Sequence, residues 1–269
     1  VSALDPGSSP LDAFDDARVS PRRGDHFGSV ARGYAAFRPT YPGDLFAWLA
    51  AQSPSRALAW DAGCGSGQAS VALADHFDRV HATDLNAQQI AAAMVHPRVH
   101  YATAPAHESG LADGSVALVT VAQALHWFDV DAFHAEVRRV LMPGGVVAEW
   151  TYALVFTPTR PRIGALVNDL DRLVHAWWPP ERRHIDDHYA MLPFPFGSLD
   201  APWFRMSTEW SREQLLGYLG TWSAVTRCRA ITGEDPLVPF TEALNAAWGE
   251  EETIPMEWPL TLRVGYLVR

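Results

Sequence analysis

The chain contains no lysine; all 21 of its basic residues are arginine. That excludes any mechanism built on a lysine Schiff base or a lysine nucleophile. Cysteine is nearly missing too. Cys64 and Cys228 are too few for a disulfide framework or a cysteine zinc site, and such usage suits a reducing, cytoplasmic compartment. Long apolar runs are missing: the stretch from Val116 to Leu125 is far too short to cross a membrane. The N-terminus lacks the charged-then-apolar pattern of a secretory signal. Positive charge is outweighed, with 31 acidic residues and a net charge of −10. This argues against nucleic acid as a partner, because neutralising phosphates requires a basic face. There are no internal repeats, and nothing indicates an oligomeric state.

What is present points to a large folded unit. The 269 residues are 48% hydrophobic, enough for a sizeable core. Val1 to Asp25, rich in Asp, Ser, Pro and Gly, is expected to be a mobile arm. Phe27, Val30, Ala31 and Tyr34 recur at helical spacing, and Arg38-Pro39 should end that helix. A second helix starts at Pro42 and buries Leu45, Phe46 and Leu49. Strands are then expected over Ala57–Trp60, Val80–Thr83, Val99–Thr103, Val116–Ala122 and Val146–Ala153. Helices lie between them: Gln68–Phe77, one capped by Asn86 with Gln89 in a capping box, and one from Val130 to Leu141 stopped by Pro143-Gly144-Gly145. Strands alternating with helices predict a parallel, doubly wound α/β sheet. Beyond it the texture changes. An amphipathic helix runs from Leu166 to Trp177 up to Pro179-Pro180, a loop holds Pro193-Phe194-Pro195-Phe196, a capping box joins Ser211 to Gln214, and a final strand covers Trp258–Val268. Seven of the eleven tryptophans lie after Trp150, in core or pocket.

Chemistry concentrates where the first strand meets the first helix. Gly63-Cys64-Gly65-Ser66-Gly67 is preceded by Asp61, placed at the strand end, where a carboxylate can meet an ammonium group. Asp84 ends the second strand, about 20 residues after the first glycine, where an acid can bind both ribose hydroxyls or cap the following helix. The spacing is G-x-G-x-G, whereas the dinucleotide fingerprint is G-x-G-x-x-G. A nicotinamide-dependent oxidoreductase is therefore the weaker alternative.

These motifs resemble those of the class I S-adenosylmethionine-dependent methyltransferases. Asp61 to Gln68 is similar to their first motif and Asp84-Leu85-Asn86 to the second. Asp113-Gly114-Ser115-Val116 and Leu141-x-Pro143-Gly144-Gly145 are similar to the turns before the fourth and fifth strands. Arg38-Pro39-Thr40-Tyr41-Pro42, Gln123-Ala124-x-His126-Trp127-Phe128-Asp129, Trp222-Ser223-Ala224-Val225 and Trp258-Pro259-Leu260 resemble a branch like the yeast-type trans-aconitate methyltransferases, although Phe37 stands where that branch has Tyr. The resemblance implies a Rossmann-like, seven-stranded, mostly parallel sheet with N-terminal helices and an insertion between the fifth strand and the last two. It implies S-adenosylmethionine as methyl donor, S-adenosylhomocysteine as product, no metal, and a small-molecule acceptor. Asp61, Gly63 and Gly65 would hold the methionine end; Asp84 and Leu85, the ribose and adenine. Ala106 and His107 would meet adenine through the backbone, since Ala104-Pro105-Ala106-His107 departs from the usual G-D/S-A-E. Tyr34 and Arg38 would fold over the cofactor, with Gln123 beside it, and Trp127 and Trp222 would lie on the acceptor side. The corresponding division is an arm (1–25), a cofactor core (26–155), a cap (156–202) and a completion of the sheet (203–269).

Methyl transfer from a sulfonium needs alignment and exclusion of water. A carboxylate acceptor, the leading subtype, needs no base. His126 is the candidate base for other acceptors, or else a packed histidine bonded to backbone. Trp127 is core or a wall of the site. Arg38 pairs with a carboxylate or sits in a surface ion pair; Arg182 and Arg183 draw in an anionic substrate or are surface groups. His184 and His188 have metal-ligand spacing on a helix, though a solvated face explains them better. A non-catalytic protein that binds S-adenosylmethionine is the remaining alternative.

Overall fold

A computed structural model describes residues 39–267. The expected arm and first helix, including Tyr34, Phe37 and Arg38, lie outside the described residues. From there the elements run α1 (Gly43–Gln52), β1 (Ala59–Ala62), α2 (Gln68–Ala74), β2 (Val80–Asp84), α3 (Ala87–Ala91), β3 (Val99–Thr103), β4 (Val116–Ala122), α4 (Val130–Val140) and β5 (Leu141–Tyr152). The second half holds α5 (Pro161–Leu173), α6 (Arg183–Asp186), β6 (Gly197–Leu199), β7 (Arg205–Trp210), α7 (Arg212–Gly220), α8 (Ser223–Thr232), α9 (Leu237–Trp248) and β8 (Ile254–Tyr266).

The strands form one sheet in the order β3-β2-β1-β4-β5-β8-β6, with β7 paired to the outer half of β8. β1 to β5 are parallel; β8 runs antiparallel to β5, β6 and β7. The seven-strand path is the expected one, and β7 extends it. β1 lies between β2 and β4, so the order reverses there, at the carboxyl edge where ligands of such sheets bind.

Alternation along the central strands builds two cores. Ala59, Leu118, Ala148 and Trp150 face Leu45, Phe46 and Leu49 of α1 on one side. Trp60, Val119, Val121 and Val147 face Phe133 and Val137 of α4 on the other. β4 is buried from Val116 to Val121, as a central parallel strand covered on both faces must be.

Several boundaries move, each for a local reason. β1 begins two residues later than the apolar run suggests and includes Asp61, because Ser70 and Thr120 satisfy that carboxylate inside the sheet. The helix before β5 stops at Val140. Leu141 is already extended and pairs with Val116, so Pro143-Gly144-Gly145 lies within an irregular start to β5. The Asn86 side chain caps α3 by accepting from the Gln88 and Gln89 amides, but the reciprocal half of the capping box is replaced: the Asn86 amide donates to Asp84. The Ser211–Gln214 box is complete. α5 starts at Pro161, a residue suited to a first turn, and ends at Leu173, before a separate turn over His175–Trp177. β6 and β7 occupy a region without a strand pattern in the sequence.

A polar group sits at the centre of this sheet. Glu149 of β5 is fully buried. Its carboxylate accepts from His134 Nε2 of α4 at 2.6 Å and from Arg263 of β8, its cross-strand partner, at 2.5 and 3.1 Å. The other arm of the Arg263 guanidinium donates to the carbonyls of Tyr189 and Leu192 at 2.8 and 2.7 Å. One arginine thus neutralises a buried carboxylate and ties down the segment that follows α6. Removing one partner of a buried pair strands the other, at a cost of about 3–5 kcal/mol. Arg263→Met is expected to lose stability of that order in urea denaturation and to speed amide exchange over residues 187–193. Arg263→Lys should recover only part, since one ammonium cannot reach all three acceptors. Unchanged exchange in 187–193 would refute the tie.

Candidate functional site

The loop after β1 is shaped by what surrounds it. Gly63 has φ of 68°, and a Cβ there would lie 2.6 Å from Ala124 Cβ and 2.9 Å from the Phe128 ring. Gly67 has φ of 89°, and a Cβ there would lie 2.1 Å from the Tyr101 hydroxyl, which donates to Met94 O at 2.8 Å. Only glycine satisfies both the left-handed backbone and the close approach. At Gly65 an added Cβ would meet nothing within 4 Å, so that side of the loop is open.

Asp84 holds this loop. Its Oδ2 accepts from the Gly65 amide and its Oδ1 from the Asn86 amide, both at 2.8 Å. It therefore does not cap α3, which is the task of Asn86. Two lone-pair positions remain on its half-buried carboxylate for further donors. Leu85 beside it is 74% exposed, an apolar side chain standing at the rim.

Asp61 departs from expectation. Its carboxylate is buried beneath the loop, accepting from Ser70 at 2.6 Å and Thr120 at 2.9 Å. Burial raises its pKa to about 6; the two hydroxyls partly offset this. Its bonds brace β1 against α2 and β4, and it presents no free oxygen at the loop surface. Burial also pushes the Cys64 thiol far up, leaving it unreactive.

The segment after β3 places Ala106 half-buried and His107 exposed. Its far end is anchored by Ser109, whose amide and hydroxyl donate to Glu136 Oε1 at 2.8 and 2.5 Å. Burial opposes ionisation of Glu136, but bonds from Arg139 and Ser109 hold its pKa down at about 2.

At the end of β4, Gln123 turns the chain with φ of 57°. Its Oε1 accepts from Thr151 Oγ1 at 2.7 Å and the Tyr152 amide at 2.9 Å, so its amide fastens β4 to the edge of β5. The turn delivers Leu125–Trp127 to the carboxyl edge. His126 is buried there and pairs through Nδ1 with the Tyr189 hydroxyl at 3.2 Å, not with backbone. Burial, with Arg182 and His184 nearby, lowers its pKa to about 4. Trp127 is 59% exposed and is not core.

Beyond Gln123 and His126 lies a cavity of about 300 Å³, walled by Tyr152, Trp178, Arg182, Ile185 and Trp222. It adjoins the carboxyl ends of β4 and β5 and shares the turn after β4 with the glycine loop, since Ala124 and Phe128 of that turn pack on Gly63. Trp222 is buried against Trp178, with ring centroids 5.5 Å apart. Of the two arginines, Arg182 lines the cavity and Arg183 is exposed. The proposed histidine pair separates. α6 is a single turn, His188 lies past it with φ of 51°, and its Nδ1 pairs with Thr261 Oγ1 at 3.3 Å. No group of three metal-ligating side chains occurs among the described residues.

Sequence reasoning passed over Tyr189, Tyr152 and Trp178. Tyr189 has no local signature: it is a tyrosine forced to φ of 59°, buried, and placed by Arg263. The run Trp177-Trp178-Pro179-Pro180 was the available hint for Trp178.

Comparison with known proteins agrees with this geometry. Residues 60–148 match a family model described as a methyltransferase domain. A Dictyostelium discoideum protein named "Putative methyltransferase" is 32% identical over 244 residues, covering 88% of this chain and 92% of its own. An "Uncharacterized methyltransferase" of Mycobacterium tuberculosis is 32% identical over 188 residues, covering 69% of this chain and 70% of its own. A solved structure titled "Putative Type II Methyltransferase" from Anaeromyxobacter dehalogenans is 49% identical, with a TM-score of 0.80, covering 85% of this chain and 97% of that one. These matches displace the oxidoreductase and non-catalytic alternatives. Together with the glycine loop and the reversal of strand order beside it, they show that the chain belongs to the class I S-adenosylmethionine-dependent methyltransferases.

Proposed function

We propose that the enzyme methylates a small-molecule acceptor seated in the cavity beside His126, with O-methylation of a carboxylate as the leading reaction. The observation that carries this is the position of the cavity: it lies against the carboxyl edge of β4 and β5 and is lined by Gln123, His126 and Trp127, from the same turn whose Ala124 and Phe128 pack on Gly63 of the glycine loop. Bound S-adenosylmethionine supplies a methyl group already activated on a sulfonium.

The residues fit that donor. In this reading the open backbone at Gly65, together with Gly63, receives the methionine end, and Asp61 acts as a buried negative charge beneath it. The spare lone pairs of Asp84 accept from ribose hydroxyls. Leu85 packs on adenine, and the segment at Ala106 and His107 flanks it. Gln123 fixes the edge of the site through its bonds to Thr151 and Tyr152. Tyr34 and Arg38, the other two expected cofactor residues, lie outside the described residues. Trp127 and Trp222 confine the acceptor side.

The state of His126 bears on the acceptor. A histidine with its pKa near 4 is neutral at physiological pH but a weak base, since efficient proton abstraction wants a pKa near the working pH. An acceptor that ionises unaided, such as a carboxylic acid, suits this site better than an alcohol. His126 then orients the acceptor and remains the candidate base for any other.

Three outcomes are expected. Isothermal titration should detect S-adenosylmethionine binding, and Asp84→Ala should weaken it about ten- to a hundredfold, because bonds to a charged group are worth about 1.5–3 kcal/mol; an absence of binding by the native protein would sink the proposal. The His126 imidazole, followed by NMR, should titrate near pH 4 and move upward in Arg182→Gln. For Asp61, the folded-state pKa is raised, so its contribution to stability is complete below about pH 4 and is lost as pH rises through about 6. Between about pH 5 and pH 8 the thermal midpoint should shift in favour of Asp61→Asn relative to wild type; a constant gap between the two would contradict the burial argument.

A further inference from the structure

The cavity has a charge pattern unlike the rest of the molecule. The chain carries 31 acidic residues and a net charge of −10, yet none of the described residues lining the cavity is acidic. The permanent charge among them is a cation, Arg182. Its side chain is only 12% exposed, and its guanidinium lies over the Trp178 ring, 4.9 Å from the centroid. Its carboxylate partner is Asp186, one helical turn on, at 3.3 Å and 49% exposed. Asp186 is half-exposed and returns to water when displaced, so a ligand carboxylate can take its place on Arg182 at small cost. Placed over an indole, the guanidinium has donors besides the nitrogen paired with Asp186 with which to fork onto a carboxylate.

The walls define the rest of the ligand. Trp178, Trp222, Tyr152, Leu154 and Ile185 offer flat aromatic and apolar surface. Two of its polar side chains are engaged elsewhere: the Gln123 amide on Thr151 and Tyr152, and the Thr221 hydroxyl on Tyr218 O at 2.6 Å. An acceptor with many hydroxyls would find fewer partners against such walls than in water, at a cost for each left unpaired. The volume of about 300 Å³ is at the small end for ligand sites and holds a ring with a short side chain, not a polymer.

We infer that the cavity selects planar, conjugated carboxylic acids, with Arg182 recognising the carboxylate and Trp178 and Trp222 the flat body. This rests on the assignment of the cavity as the acceptor site. The test uses benzoate and trans-cinnamate as probes, their primary amides as uncharged controls, and cyclohexanecarboxylate as a non-planar acid. Binding to the full chain is measured by isothermal titration, with and without saturating S-adenosylhomocysteine. The planar acids should bind about tenfold or more tightly than the amides, and benzoate more tightly than cyclohexanecarboxylate. Arg182→Gln should lose that preference while retaining its affinity for S-adenosylhomocysteine, and Arg182→Lys should keep part of it. Asp186→Asn, which removes the competing carboxylate, should tighten acid binding severalfold, an effect a merely structural arginine would not produce. Equal affinity for acids and amides, undiminished acid binding by Arg182→Gln, or no acid binding at millimolar concentration would overturn the inference. Failure to bind S-adenosylhomocysteine would count against the cofactor assignment instead, because acid binding is also read without it.

Discussion

Glu149 is a carboxylate in the middle of a sheet covered on both faces, and β8 and the segment after α6 are arranged around satisfying it. A buried carboxylate without partners would cost several kcal/mol. His134 answers from the helix layer and Arg263 from the antiparallel edge, so the group is held by elements on two sides of β5. Arg263 has more donors than Glu149 can accept, and the surplus reaches the carbonyls of Tyr189 and Leu192. Those bonds hold two successive residues, His188 and Tyr189, at positive φ, a conformation side chains other than glycine adopt only under constraint. The Tyr189 hydroxyl then reaches His126. A charge placed for the sheet thereby fixes a ring at the mouth of the cavity.

The donor half works by a different principle. Its geometry is set by backbone and by the absence of side chains. Tyr101 and Phe128 occupy the space that Cβ atoms at Gly67 and Gly63 would need, and Asp84 joins the loop to the end of β2 through two amides. Asp61 lies underneath as a brace, fully buried and satisfied by two hydroxyls. Little in that half depends on a mobile side chain, which suits a site whose ligand does not vary.

This difference explains what the sequence disclosed. Glycines at fixed offsets, an acid at a strand end and apolar strands between amphipathic helices are local patterns, so the donor loop and the parallel strands were legible to within two residues, except for the start of β5, which lies five residues before the expected one. Asp61 was recognised, but its environment was not. That it faces Ser70 and Thr120 depends on β4 lying beside β1, a contact across 59 residues. Glu149 and Arg263 looked like ordinary polar positions on alternating strands; only the antiparallel register that sets them opposite each other gives them a role. β6 and β7 escaped notice because they are short edge strands completed by β8, with no apolar alternation strong enough to declare them. Trp127 could be core or a wall of the site from its residue type alone; the turn at Gln123 leaves it 59% exposed, which removes the core reading.

The two halves therefore differ in what a substitution can change. In the proposed reading, replacing a wall of the cavity, such as Trp178 or Arg182, changes which acceptor fits and spares the glycine loop and Asp84, since the polar partners of these two side chains are Asp171 and Asp186. Replacing Arg263 acts differently: it releases the cap carbonyls and Glu149 at once, so a change aimed at the acceptor side would reach the sheet. The cap can vary residue by residue around a single fixed arginine. On the proposed assignment, a fixed donor site and a changeable acceptor pocket follow from that arrangement, because Glu149 and Arg263 line neither the glycine loop nor the cavity.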